Sequence, residues 1–171
     1  MPAAGYRGVD YLLFGYFLIQ IPATLLFDTQ GVYGEWLYPS FLRSLRHHYL
    51  ETYKDPFLAN AWNHPWFLSF CLLEHYLAMP FYVWAAYCYY YGAVNKPVIV
   101  IPALIYSVHT ITAVIAIWTM ALLADFSKIQ EPAPTNFTQR LLLCFAYSPF
   151  FIVPMVNAVD SFLLTQKRKN D

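Results

Sequence analysis

Charge is scarce in this chain: ten Lys and Arg and ten Asp and Glu make up 12% of 171 residues and cancel to a formal net charge of zero. Without a basic field there is no surface to neutralise phosphates, so no nucleic-acid partner is expected. Cysteine is limited to Cys71, Cys88 and Cys144, all inside apolar stretches. That excludes a disulfide framework and leaves small buried hydrophobes. Glycine is limited to six residues, and no apolar stretch carries a Gly-x-x-x-Gly pair for close helix docking. No phosphate loop, dinucleotide fingerprint, metal-ligand spacing or Ser-His-Asp order is present, so no cofactor, metal or catalytic set is expected. Internal repeats and low-complexity tracts are absent as well.

What the chain has is apolar and aromatic surface: 59% hydrophobic residues, 20% aromatic, and a mean hydropathy of +0.41. Those values belong to a membrane protein. Four segments reach membrane length, 11–27, 66–91, 98–124 and 141–164, and because an open strand cannot cross lipid with its backbone unpaired, all four are expected as helices. The first has Arg7 before its apolar run but is longer than a signal-peptide core and lacks a small-residue cleavage site, so it reads as a retained span. Only Gly92 to Pro97 separates the second and third, which makes them an antiparallel hairpin, with Lys96 and Tyr89, Tyr90 and Tyr91 at the water interface. Between the first two spans, Trp36, Leu37, Phe41, Leu42, Leu45 and Tyr49 recur at helical spacing against Arg43, Arg46 and Glu51. This pattern predicts an amphipathic helix lying over the bundle mouth. The expected fold is therefore an all-α membrane protein of four transmembrane helices in a kinked bundle with a lumenal amphipathic helix.

An even number of spans puts both termini on one side, and the basic residues of the two sides balance, so the positive-inside rule does not orient the chain. The final five residues, Lys167-Arg168-Lys169-Asn170-Asp171, match a K-x-K-x-x retrieval signal through Lys167 and Lys169. This favours the endoplasmic reticulum membrane with cytosolic termini; the alternative is a basic tail resting on anionic lipid. Asn136-Phe137-Thr138 is a formal glycosylation sequon that abuts the fourth span and is expected to stay unused.

Glu74 lies inside the second span, about 12 Å from its Trp66 end at 1.5 Å per residue. An acid at that depth is protonated, paired, or faces a cavity, and reads as a functional site with a partner. Pro80 has no N–H and clashes with the carbonyl of Tyr76, so the helix should kink within two turns of that acid. Asp28 closes the first span six residues after Pro22. It is either a solvated interface residue or the partner of Glu74. In the second case the two carboxyls share a proton, and the ionised member is a counter-ion for an ammonium ligand. Asp55, followed by Pro56, has the pattern of a helix N-cap with Pro at the first position. His75 is turned about 100° from Glu74 on the helix and should sit outside its pocket. His109, flanked by Tyr106, Thr110 and Thr112, either packs or lines the interior; Pro149, Pro154 and Tyr147 make a kinked aromatic wall, and Asn157 and Asp160 are expected to snorkel to water.

Several of these stretches together resemble one family: Leu25-Leu26-Phe27-Asp28, Lys54-Asp55-Pro56, Glu74 six before Pro80, Ile105-Tyr106-Ser107-Val108-His109-Thr110, Asp125-Phe126-Ser127-Lys128 and the basic tail. They are similar to the transmembrane protein 97 family of sigma-2 receptors, over nearly the whole chain. That family sits in the EXPERA superfamily, which also includes emopamil-binding protein, a sterol isomerase. The resemblance implies a four-helix EXPERA domain over 10–164 with a cytosolic tail over 165–171, and an occluded cavity that opens to the membrane. It further implies residence in the endoplasmic reticulum membrane, extending to nuclear and lysosomal membranes. Sterols and cationic amphiphilic small molecules are the implied ligands, with Asp28 meeting the ligand amine, Glu74 supporting it, Asp55 acting less directly, and Tyr106, His109, Thr110, Tyr147 and Phe150 on the walls. Implied partners are membrane lipid, a second copy in a homodimer, and the lysosomal Niemann-Pick cholesterol transporter; the implied role is in cholesterol homeostasis. Ala78 stands where a glutamine is expected and Phe150 where a tyrosine is expected, which leaves the acid pair intact but bears on drug selectivity.

The competing class is an isomerase, which needs an acid to protonate an alkene and a base to remove a proton elsewhere. The isomerase branch is similar in fold but has a His and a Glu one turn apart on the first helix. Here Gln20 and Thr24 occupy those positions, and neither can carry out that proton chemistry at neutral pH. A ligand-binding and sterol-handling protein is the expected function, with no catalytic residues.

Overall fold

The computed structural model describes residues 6–129 and 132–170. From the basic tail, Asp171 and the side chains of Arg168 and Asn170 lie outside the described residues. Within them the chain is all-helical, without a strand. Helix α1 (Gly8–Ala23) continues through a π-turn (Thr24–Asp28) into the short α2 (Gln30–Tyr33). Helices α3 (Ser40–Tyr53) and α4 (Pro56–Ala59) form the connection to α5 (Pro65–Leu73), which passes through a second π-turn (Glu74–Ala78) into α6 (Met79–Tyr91). Helix α7 (Val100–Leu123) follows the short loop at Gly92, and α8 (Phe137–Tyr147) and α9 (Pro149–Asn170) complete the chain. Three helical segments are long and apolar enough to cross a membrane: Gly8–Tyr33, Pro97–Leu123 and Pro149–Lys167. The run from Pro65 to Tyr91 has the length, but Glu74, His75 and its many tyrosines make it less apolar.

Proline places the irregular turns. Pro22 and Pro80 cannot bond to the carbonyls of Leu18 and Tyr76, and next to each the helix widens into a π-turn instead of breaking. Each π-turn holds one carboxylate: Asp28 closes the first and Glu74 opens the second. The fourth expected span is divided. Pro149 stops α8 at Tyr147, and α9 restarts after Ser148, so the kink falls at Ser148 while Pro154 is carried inside α9. No helix breaker follows Pro154, and the basic tail continues α9 without a separate segment.

Helix α1 packs along α6 and α7 along α9. Phe17 is the hub of the first pair, its ring stacked on Tyr89 at 5.7 Å and edge-on to Phe81 at 5.5 Å. Small residues permit close approach where glycine pairs are missing: Ala85, Ala103 and Ala121 are fully buried. One apolar cluster around Leu13, Phe17 and Tyr89 fills the end that carries the termini, and another around Phe57, Phe67 and Leu143 fills the end capped by α3 and α4.

Two polar assignments from sequence are corrected. Asn157 is 1% exposed; its Oδ1 accepts from Tyr89 Oη at 2.7 Å and its Nδ2 donates to Ser107 Oγ at 2.9 Å. Asp160 accepts from both terminal nitrogens of Arg7, at 2.7 and 2.9 Å, and Arg7 also holds the buried Asp10. Neither side chain snorkels, because each finds its partner on a neighbouring helix.

The amphipathic helix exists, with Tyr49 turned inward and Arg43 and Glu51 exposed, but Arg46 is on its buried side. Arg46, assigned to the polar face, is 2% exposed, whereas Trp36 is 79% and Phe41 67% exposed. Arg46 Nη2 donates to the carbonyls of Leu58 at 2.7 Å and Ala59 at 3.0 Å, and Nη1 pairs with Glu35. The short α4 leaves carbonyls that no helix satisfies, and a buried guanidinium fills that need. Gly31 makes the approach possible, since a Cβ there would sit 2.6 Å from the Leu58 carbonyl oxygen. Burial lowers the Arg46 pKa, and Glu35, Asp55 and Asp28 pull it back.

Arg140 plays the same part at the end of α7. From α8 it donates to the carbonyls of Ala121 at 2.8 Å, Leu122 at 3.0 Å and Ala124 at 2.9 Å, and lies over the Phe126 ring. Arg140→Ala is expected to destabilise the fold by about 2 kcal/mol, the scale of losing charge-assisted bonds to a helix end. A thermal unfolding midpoint in detergent that did not fall would refute that role.

Candidate functional site

Between the two apolar clusters lies a cavity of about 210 Å³. Its walls come from α1, α3 to α8 and the start of α9, with Tyr49 of α3 and Leu58 of α4 at one end. Most of the wall is apolar, with Phe27, Phe67, Phe70, Ile117 and Val114 among its residues. A few polar groups converge on it, the usual composition of a small-molecule site.

The two π-turns make its acidic side. They pack against each other, so Asp28 and Glu74 line the same cavity although 46 positions separate them. Thr24, in the first turn, donates from Oγ1 to Glu74 Oε1 at 3.2 Å, joining the two helices at this point. Tyr82 donates from Oη to the same oxygen at 2.8 Å. Asp28 accepts no hydrogen bond from a described residue and faces the cavity. The acids therefore have different surroundings: Glu74 is anchored by two hydroxyls, and Asp28 lines the cavity without a hydrogen-bond donor among the described residues.

Of the residues singled out in the sequence, Asp28, Glu74, Tyr106, His109, Thr110, Tyr147 and Phe150 all lie on the cavity wall. His109 packs against Phe70 with ring centroids 5.9 Å apart. Asp55 is not on the wall. It caps α4, its Oδ1 accepting from the backbone N–H of Phe57 and Leu58 at 3.0 Å each, as Asp-Pro in the sequence suggests. Its Oδ2 accepts from Tyr147 Oη at 2.7 Å and Tyr49 Oη at 3.4 Å, and both of those rings line the cavity. Burial pushes the Asp55 carboxyl up, and bonds from Leu58, Tyr147, Phe57 and Tyr49 oppose the rise. His75 stays outside the cavity, with Nδ1 3.4 Å from Tyr33 Oη, as its angle on the helix requires.

Four contributors escaped the sequence reading as site residues: Gln20, Tyr49 and Tyr82 on the wall, and Thr24 behind it. For Gln20 a signal was available, since it stands two turns before Asp28 in an otherwise apolar run. Nothing local marks Tyr49 or Tyr82 among 15 tyrosines.

Comparison with known proteins gives the family. The family model described as EXPERA (EXPanded EBP superfamily) matches residues 41–161. "Sigma intracellular receptor 2" of Xenopus tropicalis is 39% identical over 150 residues, covering 88% of this chain and 85% of the relative. The proteins of the same name from Homo sapiens and Macaca fascicularis are each 38% identical over 153 residues, with the same coverage.

Proposed function

The chain belongs to the EXPERA family, and from that membership we propose that it is a sigma-2-type intracellular receptor whose cavity takes cationic amphiphiles and sterols. The observation that carries the reading is the meeting of the two π-turns, which sets Asp28 and Glu74 on one wall of an apolar cavity. A buried ammonium needs a counter-ion, and an amphiphile needs apolar walls for the rest of its surface. Asp28 supplies the first, while Glu74, tied to Thr24 and Tyr82, fixes the second acid beside it.

In this reading Pro65 to Tyr91 crosses the membrane together with the three more apolar segments, giving four spans over a domain of 10–164. Its carboxylate is turned to protein, since Glu74 faces the cavity, and His75 meets Tyr33. Helix α3 and the turn before it lie in the lumenal interface, where outward-facing Trp36, Phe41 and Leu45 meet lipid and need no protein cover. Both termini are cytosolic, and Lys167 and Lys169, exposed near the end of α9, hold the protein in the endoplasmic reticulum. Homodimer formation and contact with the lysosomal Niemann-Pick cholesterol transporter belong to the same proposal, as does a part in cholesterol homeostasis.

An isomerase would need proton-transfer groups on the first helix where this chain has Gln20 and Thr24, and Thr24 is committed to Glu74. The test is saturation binding of a radiolabelled cationic amphiphile to membranes carrying the protein, with a sterol isomerase assay on the same membranes. Saturable binding without isomerised sterol is expected. Sterol turnover would make the cavity an active site and overturn the receptor reading.

A further inference from the structure

Gln20 is 4% exposed and lines the cavity from α1. Its Nε2 reaches Tyr16 Oη only at 3.5 Å, the outer limit of a hydrogen bond, and its Oε1 accepts none from a described residue. The neighbouring phenols have partners: Tyr16 and Tyr106 share a bond of 3.0 Å, and Tyr82 donates to Glu74. The amide is therefore the under-used polar group on this part of the wall. A buried amide with one bond at the limit of reach has hydrogen-bonding capacity that a ligand group can use.

Its position sets the geometry of what could do so. Gln20 stands eight residues before Asp28, about 12 Å along the helix at 1.5 Å per residue. Ala23 and Ala78 line the cavity as well, and with no side chain beyond Cβ they leave room for an apolar spacer. The amide is neutral and both donates and accepts, so it suits a hydroxyl or carbonyl and supplies no counter-charge for a second ion.

We infer that Gln20 is a specificity-determining residue that binds a second, uncharged polar group, so that the site selects elongated amphiphiles with an amine at one end and a hydroxyl or carbonyl about two helical turns away. This rests on the carboxyl-pair reading of the same cavity. It places the neutral end of the ligand toward the end of the bundle that carries the termini and the cation toward α3.

The test compares two probes on membranes carrying the full chain: an N-alkylpiperidine whose chain ends in a hydroxyl at the matching distance, and its methyl-terminated counterpart. In the wild type the hydroxylated probe should bind roughly tenfold tighter, the yield of one well-made buried hydrogen bond. In Gln20→Leu that ratio should fall to about one, and Gln20→Met should repeat the result if the leucine variant does not fold. Equal affinities in the wild type, or a preference that survives both substitutions, overturns the inference while leaving the carboxyl pair standing. Failure of both probes to bind the wild type overturns the carboxyl-pair reading and this inference together.

Discussion

Replacing Asp28 with Asn should weaken binding of a cationic amphiphile by about a thousandfold, the effect of leaving a buried cation without its counter-ion, about 4 kcal/mol. The substitution keeps the side-chain volume, so the cavity between the π-turns keeps its shape. Asp28 accepts no bond from a described residue, so the fold loses no anchor with its charge. What disappears is the acid on the wall that has no donor among the described residues. Glu74→Gln should act more mildly, by about tenfold, since the amide oxygen can still accept from Thr24 and Tyr82 and the loss is confined to the charge behind Asp28. Saturation binding on matched membranes measures both. An Asp28→Asn protein that binds within threefold of the wild type would sink the counter-ion role.

The second large effect is expected at Asp55. Asp55→Ala removes the cap of α4 and the acceptor of two tyrosine hydroxyls at once, and should destabilise the protein by about 3 kcal/mol. Asp55→Asn separates the two roles. Its oxygen can still cap Phe57 and Leu58, so the fold should survive, but the Tyr147 hydroxyl proton loses its acceptor and the cavity wall is released. Ligand affinity should then fall without direct contact between Asp55 and ligand. Tyr147→Phe cuts the same link from the other side, so the two substitutions should be non-additive in a double-mutant cycle read by ligand affinity. Strict additivity, with Tyr147→Phe neutral, would mean that Asp55 meets the ligand itself.

Phe17 and the buried alanines were legible in the sequence only as apolar residues; the acids stood out from their apolar surroundings. An acid in a membrane-length apolar run is so costly that Glu74 marks itself, and Asp28 and the Asp55-Pro56 cap can be read from short-range rules in the same way. The exposed face of α3 was the hardest to read. Sequence periodicity finds an amphipathic helix but does not say which face the surroundings reward. Arg46 shares the inward side with Tyr49 and Leu50 because its guanidinium satisfies the carbonyls of Leu58 and Ala59, a need that periodicity does not register.

The sequence by itself determined that the chain is helical and suits a membrane, and it singled out Glu74 as an acid inside an apolar run while leaving Asp28 open between the interface and a partner of Glu74. These follow from length, apolarity and the rules of proline and capping, which act over a few residues. The tertiary structure alone decided that the two acids share a cavity, that Asp55 stands behind it, that Arg46 and Asn157 are buried, and that Gln20 faces inward. Each of those depends on which residues from distant helices meet, through Pro22 and Pro80 widening their helices into π-turns that touch. No local pattern encodes that meeting, because the free energy that fixes it comes from packing between segments far apart in the chain.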